Sequence, residues 1–379
     1  MTELDKIIRA EIRAAGPMRF DRFMELALYH SDFGYYAQIG KRTQTGRGGD
    51  FFTSVSVGPL FGRLLARQFF QMWRVLGSPS IFGIVEQGAH DGQLACDILE
   101  WCRAEAVEFF GAIRYGIVES PQPVRDLQQK FAEKTGVVEK LAWFDNLASL
   151  AEWPVGIFFS NELVDAFPVR VITCHSCQWL EKRVGVDEGD ALTWVTQEIE
   201  DRELVQAIEM STLPLVEGYT TEINLSARRW MNEIASVVKR GYMLTIDYGF
   251  PTSVYYASFR TGGTLTAYLD HRRMEEVLIE PGNRDITAHV DFTALARIGE
   301  AAGLMTLGFV DQQRFLMGIA ADELGGKPGP VAHVQDNLRA WNTLTHPEYL
   351  GARFHALLQA RNASANLDGL RFARPGGLD

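Results

Sequence analysis

Carboxylates recur in this chain where apolar, β-prone runs stop. The run Ile81 to Val85 ends in Glu86, turns through Gly88 and Gly92, and opens into a helical pattern. A second run from Arg114 ends in Glu119. A third, Val155 to Ser160, ends in Asn161 and Glu162, with Asp165 close behind, and a fourth from Arg240 reaches Asp247 before Gly249. Open α/β proteins build nucleotide-sized pockets at the carboxyl ends of such strands. The first loop is neither G-x-G-x-x-G nor G-x-x-x-x-G-K-[ST], so it lacks the lysine of a phosphate-binding loop. Paired strand-end acids suit a cofactor gripped by its ribose hydroxyls, at about 1.5–3 kcal/mol per charge-assisted bond. Glu119 is the expected ribose ligand. Glu86 orients the loop or reaches a cofactor amine through water. Either acid alone also reads as a solvated carboxylate at a strand end.

Three further positions follow from the same geometry. Asp145 or Asn146, after the short run 141–144, falls beside a base. Asn161 or Glu162 reaches the transferred group, the amino-acid part of a cofactor or an incoming nucleophile. Asp165 joins them or caps the next helix.

The elements that position these residues alternate. Helices are expected over 2–15, 19–28 and 60–73, and then strand 81–86, helix 92–105, strand 114–119, helix 121–134, a short strand at 141–144 and strand 155–160. That alternation predicts a mostly parallel sheet with helices on both faces. Residues 169–238 break the rhythm with three antiparallel strands and helices at 202–210 and 221–238. The sheet resumes at 240–249, a helix follows at 290–303, two short β-like segments flank Gly308, and a last strand lies near 354–360. The connection 250–290 is long enough to cover the active face.

Composition narrows the partners. The 379 residues carry a formal charge of −11 and are 46% hydrophobic, which suits an ordered globular protein. Net acidity opposes a nucleic-acid partner. Four cysteines make no disulfide framework, and the Cys174/Cys177 pair reads as a hairpin end rather than as half of a metal site. No apolar run approaches the roughly 20 residues that span a bilayer, so no membrane role is expected, and the acidic start predicts a cytoplasmic protein.

The ordered motifs Gly49-Asp-Phe-Phe-Thr-Ser54, Glu86-Gln-Gly88 to Gly92, Ile117-Val-Glu-Ser120, Asn161-Glu-Leu-Val-Asp-Ala-Phe167, Asp247-Tyr-Gly249, Gly263-Thr-Leu-Thr-Ala-Tyr268 and Asp285 to Phe292 carry a resemblance. Together they resemble the S-adenosylmethionine-dependent methyltransferases that include the mitochondrial complex I assembly factor methylating an arginine, with its bacterial relatives. The resemblance runs from about residue 5 to at least 320. It implies a class I, Rossmann-like core: a covering N-terminal helical segment over 1–75, the first part of the core over 76–168, an inserted α+β subdomain over 169–238, and the rest of the core with a covering segment and C-terminal extension over 239–379. It also implies that Gly88, Gly92 and Glu119 hold S-adenosylmethionine, that Asn161, Glu162 and Asp165 line its reactive end, and that Asp50 and Phe51 belong to the closing segment. Two departures stand out. The family's G-P-G-R-G is Gly88-Ala-His-Asp-Gly92 here, and its T-S-P-E-I-S is Thr53-Ser-Val-Ser-Val-Gly58.

The implied chemistry is methyl transfer to a nitrogen of a protein, foremost an arginine. Glu162 and Asp165 would position the guanidinium and take its proton, Asp50 and Asp247 stand in reserve, and His289 would relay a proton or simply pack at a helix entrance. Small-molecule N- or O-methylation is the enzymatic alternative. A methyltransferase-fold partner without turnover is the non-enzymatic one, and a nicotinamide oxidoreductase is more remote. A homodimer through the inserted strands is conceivable.

Overall fold

The computed structural model describes residues 2–38, 53–269, 272–364, 366–374 and 377–378. Seven strands make the continuous path of the eight-stranded central sheet, β1 (Phe82–Gln87), β2 (Ile113–Val118), β3 (Leu141–Phe144), β4 (Val155–Asn161), β5 (Gly241–Phe250), β6 (Met305–Asp311) and β7 (Phe354–Arg361), while Val290–Asp291 pairs beside the end of β5. Their order is β3-β2-β1-β4-β5-β7-β6. The first five are parallel, and β7 runs antiparallel to β5 and β6. Strand order reverses between β1 and β4, which opens a crevice beyond their carboxyl ends.

The central strands read as continuous apolar runs because both faces are covered. Ile84, Ile157, Phe159, Leu244 and Ile246 enter one core with helices α3 (Leu60–Val75), α4 (Gln93–Glu105) and α8 (Gln312–Leu324). The alternate residues Val85, Phe158 and Met243 meet α6 (Leu225–Val237) and α7 (Phe292–Ala301) on the other face. This α/β sheet, mixed and flanked on both sides, matches the fold expected from the alternating pattern.

A second sheet is antiparallel. Arg170–His175 lies between Gln178–Val186 and Thr220–Ile223, while Met18–Arg19 and Leu192–Glu198 pair with Gln178–Val186. Helix α1 (Glu3–Ala15) and α2 (Phe20–Tyr29) pack on it, with Leu4, Ile8, Phe20 and Phe23 in one core with Val171 and Val184. Thr2 and Asp5 form a reciprocal capping box at the start of α1. Trp194 packs against Phe20, ring centroids 5.1 Å apart, as a core residue.

Two expected elements differ. The helix expected over 221–238 starts only at Leu225. The β-branched run Thr220–Ile223 instead pairs with Arg170–Thr173, and Asn224 caps α6 by accepting from the Ala227 N–H at 2.8 Å. The second β-like segment after Gly308 is α8, whose Asp311 cap accepts from the Arg314 N–H. Phe315, Leu316, Ile319 and Ala320 line one buried face of α8, but its outer face carries the exposed apolar Met317 and Leu324, so the sequence lacks the polar stripe that marks a surface helix. At the Cys174/Cys177 hairpin, His175 pairs with Gln178, and Ser176 and Cys177 make a two-residue turn with φ of 50° and 59°. Cys174 is buried and Cys177 exposed.

Candidate active site

Beyond β1 the chain needs left-handed backbone three times: Gly88 has φ 82°, His90 47° and Gly92 84°. A Cβ on Gly88 would lie 3.1 Å from Leu163 Cδ1, so glycine there serves both dihedral and space. His90 takes the left-handed conformation as a non-glycine residue. Its neighbour Asp91 accepts from the Gln93 N–H at 3.1 Å, tying the loop to the start of α4. Burial would raise the Asp91 carboxyl, but the His90 ring and backbone donors hold it below its ordinary value. His90 and Asp91, where the loop departs from the family's, are therefore built into the helix entrance.

Helix α5 (Gln122–Thr135) supplies a residue that strand-end logic did not reveal. The Gln128 side-chain amide is fully buried. It donates to the His90 carbonyl at 3.0 Å and to Glu119 Oε2 at 3.4 Å, and it accepts from Trp143 Nε1 at 2.9 Å. Gln128 thus fixes the glycine loop and Glu119 to each other. The Glu119 carboxyl is raised by burial, against the lowering effect of Gln128, Arg125 and His90.

The other expected cofactor residues divide. Glu86 turns inward: Tyr115 OH donates to its Oε2 at 2.7 Å, and burial pushes its carboxyl up to about 8. Asp145 is largely exposed and pairs with Arg125. Asn146 spends its Oδ1 on capping Leu147–Leu150, where it accepts from the Ser149 N–H and hydroxyl, both at 3.1 Å. Asn161, at the end of β4, donates to Glu162 Oε1 at 3.1 Å, and its Oδ1 is buried without a partner among the described residues.

Glu162 sits at the head of an acidic chamber. Its backbone is left-handed (φ 53°), and its N–H donates to the Ile246 carbonyl at 3.0 Å. Asp247, fully buried on β5, accepts through Oδ2 from the N–H groups of Leu163, Val164 and Asp165 at 3.2, 2.8 and 3.4 Å, and through Oδ1 from the Tyr248 N–H at 2.8 Å. The cap of this short turn is therefore Asp247, which leaves the Asp165 side chain to the chamber. Ala288 N–H donates to the Asp165 carbonyl at 2.9 Å, bringing in the strand Asp285–Thr287. Asp285, paired in register with Tyr268, accepts from Tyr36 OH at 3.2 Å. Tyr29 OH donates to the Ala166 carbonyl at 2.9 Å, and its ring lies 5.3 Å from that of Tyr36.

Glu162, Asp165 and Asp247 make no ion pair among the described residues. Burial, then the Asp247 charge, pushes Glu162 up to about 8. Burial followed by Asp247, Asp285 and Glu162 carries Asp165 well above its ordinary value. Burial raises Asp247 itself to about 7 in spite of its backbone donors. The Tyr36 and Tyr248 hydroxyls are held protonated by burial and then by these carboxylates, and so is that of Tyr29, a residue 43% exposed whose hydroxyl turns inward to the Ala166 carbonyl. Like charges crowded out of water share protons or await a cation.

His289 stands apart from this chamber. Its ring packs 5.1 Å from Phe250 and stacks 6.5 Å from Tyr248. Burial and then Arg260, Arg273 and His355 bring it down to about 4, and its Nδ1 has no partner among the described residues. Asp50 lies outside the described residues.

A mostly parallel sheet with a glycine turn after its first strand, a carboxylate after its second and a reversal of strand order between its first and fourth defines a class I, Rossmann-like methyltransferase fold. The family model described as "Putative S-adenosyl-L-methionine-dependent methyltransferase" matches residues 64–310, and the chain belongs to that family. S-adenosylmethionine is the cofactor by which the family is defined. Among curated proteins, the chain is similar to protein arginine methyltransferase NDUFAF7, mitochondrial, of Mus musculus, with 28% identity over 94% of this chain and 84% of the relative. The Drosophila melanogaster homolog is 27% identical over 93% and 84%. Among solved structures, a COG1565 superfamily member from Burkholderia thailandensis bound to S-adenosyl-homocysteine superposes with a TM-score of 0.87 and 29% identity over 98% of this chain and 95% of that one. These relatives correct the expected cytoplasmic location: the named curated ones are mitochondrial. An acidic start does not distinguish one aqueous compartment from another. Among the described residues no helix is long and apolar enough to cross a membrane.

Proposed function

We propose that this protein transfers the methyl group of S-adenosylmethionine to a guanidinium nitrogen of an arginine in a protein substrate. The observation that carries this reading is the chamber of Glu162, Asp165, Asp247 and Asp285, walled by Tyr29 and Tyr36. Glu162, Asp165 and Asp247 have no counter-ion among the described residues, which is costly for carboxylates drawn out of water, and a planar cation with five N–H donors relieves that cost while being fixed in orientation. The named arginine methyltransferase relatives support the choice of arginine.

The chain's own residues fit the cofactor. The glycine turn leaves no side chain between backbone and crevice at Gly88, Glu119 offers a half-buried carboxylate to ribose hydroxyls, and the orphaned Asn161 Oδ1 offers an acceptor to an ammonium group. The relative crystallised with S-adenosyl-homocysteine supports the choice of cofactor. When bound, S-adenosylmethionine supplies a sulfonium-activated methyl group.

Asp165 and Glu162 then act on the acceptor. Their carboxylates hold the guanidinium by hydrogen bonds, turning one nitrogen toward the methyl and excluding water. As the C–N bond forms and the C–S bond breaks, the sulfur keeps the electron pair and the nitrogen must shed a proton. One of these carboxyls, with its raised proton affinity, accepts it. Asp247 positions Asp165 by capping its turn. His289, neutral near pH 7, serves as a packing group beside Tyr248 with one free ring nitrogen.

The test is incubation of the purified protein with methyl-labelled S-adenosylmethionine and arginine-rich peptides, followed by mass spectrometric location of the label. The proposal expects methylated arginine. Label on lysine, on a small molecule, or nowhere while S-adenosyl-homocysteine still binds would reject it.

A further inference from the structure

We propose that the outer face where α3 meets α4 carries a second site, for a small zwitterion bearing one ammonium and one carboxylate, such as a free α-amino acid. A cavity of about 340 Å³ opens there. Six ionisable side chains line it: Arg63, Asp97, Glu100, Arg103, Glu105 and His333. Four of them are already engaged in pairs, Glu100 with Arg103 at 3.8 Å and the Glu105 carboxylate with the His333 ring at 3.4 Å. Asp97 and Arg63 are left over.

Asp97 is 8% exposed, and its Oδ2 has no hydrogen-bond partner among the described residues. It is buried because α3 passes over it at Gly62, where an added Cβ would lie 2.5 Å from Asp97 Cβ. Burial, with Glu100 nearby, pushes its carboxyl up to about 7 in spite of the Gln93 side chain and the more distant charge of Arg63. The Arg63 guanidinium makes no ion pair with Asp97 or with any other described residue. The two charges share one cavity at a separation beyond ion-pair distance.

The walls are fixed. Glu323 accepts from the Ala332 and Val334 N–H groups at 2.7 and 2.8 Å, and Trp101 Nε1 donates to the Val331 carbonyl at 2.7 Å. These bonds hold the segment that carries His333 across the opening. A ligand with a single charge would satisfy one of the two groups and leave the other without a counter-ion. A zwitterion satisfies both, with its ammonium on Asp97, its carboxylate on Arg63 and its body against Trp101. None of these residues belongs to the strand-end crevice, so the site stands independently of the methyl-transfer reading.

Titration of the full chain with glycine, followed by the indole N–H resonance of Trp101, tests this. Acetate and methylammonium serve as the one-charge controls. Glycine is expected to shift the resonance saturably, at least about tenfold more tightly than either control, since each charge-assisted bond contributes about 1.5–3 kcal/mol. Arg63→Gln and Asp97→Asn should each weaken glycine by about tenfold or more, while S-adenosyl-homocysteine affinity stays unchanged. No saturable shift with glycine, equal binding of either control, or full glycine affinity in Arg63→Gln would overturn the proposal. Arg63 lies at the surface of α3, so its variant remains informative even where Asp97→Asn fails to fold.

Discussion

Single side chains decide which half of the reaction fails. Glu119→Ala removes the carboxylate offered to ribose hydroxyls, and S-adenosyl-homocysteine affinity should drop by the 1.5–3 kcal/mol of one charge-assisted bond, roughly ten- to hundredfold, with an unaltered circular dichroism spectrum. Unchanged calorimetric affinity would remove Glu119 from the site. His90→Gly should behave differently. The His90 carbonyl, held by Gln128, is the part that shapes the loop, and glycine retains it, so cofactor affinity should change far less than in Glu119→Ala. A loss as large as that of Glu119→Ala would show the imidazole itself to be a ligand. Glu119, Asn161, Glu162 and Asp165 were legible in the sequence because each follows an apolar run at a strand end. Gln128 was not, because a glutamine in a helix carries no signal until its buried amide is seen to join two loops. Asp285 was legible only as part of a family motif, since it reaches the chamber through a separate small sheet paired at Tyr268.

Elements set where those side chains stand. The turn from β1 into α4 packs Gly88 against Leu163, the residue after Glu162, so one contact couples the cofactor loop to the acidic chamber. Gly88→Ala should therefore cost about 1–2 kcal/mol for a left-handed alanine and also disturb both sites; a thermal denaturation scan and S-adenosyl-homocysteine titration would check the two effects. An unshifted midpoint would mean that the turn relaxes freely. The parallel strands were readable because their length and continuous apolar character leave few alternatives. Helix α8 was hidden by the apolar Met317 and Leu324 on its exposed face, and Thr220–Ile223 by its place directly before a helix with which its pattern merges. Both lessons are physical: periodicity reveals an element only where its exposed face is polar and its ends are marked.

At the scale of the whole molecule, buried carboxyls make the empty protein a proton store. Glu86 and Glu162 sit near 8 and Asp247 near 7, all above the ordinary carboxylate range of about 4, so the folded state binds more protons than the unfolded one between those limits. Their contribution therefore opposes folding increasingly as pH rises from about 4 to about 8, and is constant beyond. Glu86→Gln, which can still accept from Tyr115, should match the wild type in denaturant midpoint near pH 4 and exceed it increasingly toward pH 8. A constant difference across that range would refute the raised Glu86. On the proposed function the same logic applies to the chamber, where an arriving guanidinium would supply a counter-charge to Glu162, Asp165 and Asp247. The most direct test is turnover of an arginine peptide by Asp165→Asn, measured beside its affinity for S-adenosyl-homocysteine. The account predicts that transfer falls by about a hundredfold or more, as for loss of a general base, while affinity is kept. Transfer at the wild-type rate would contradict it.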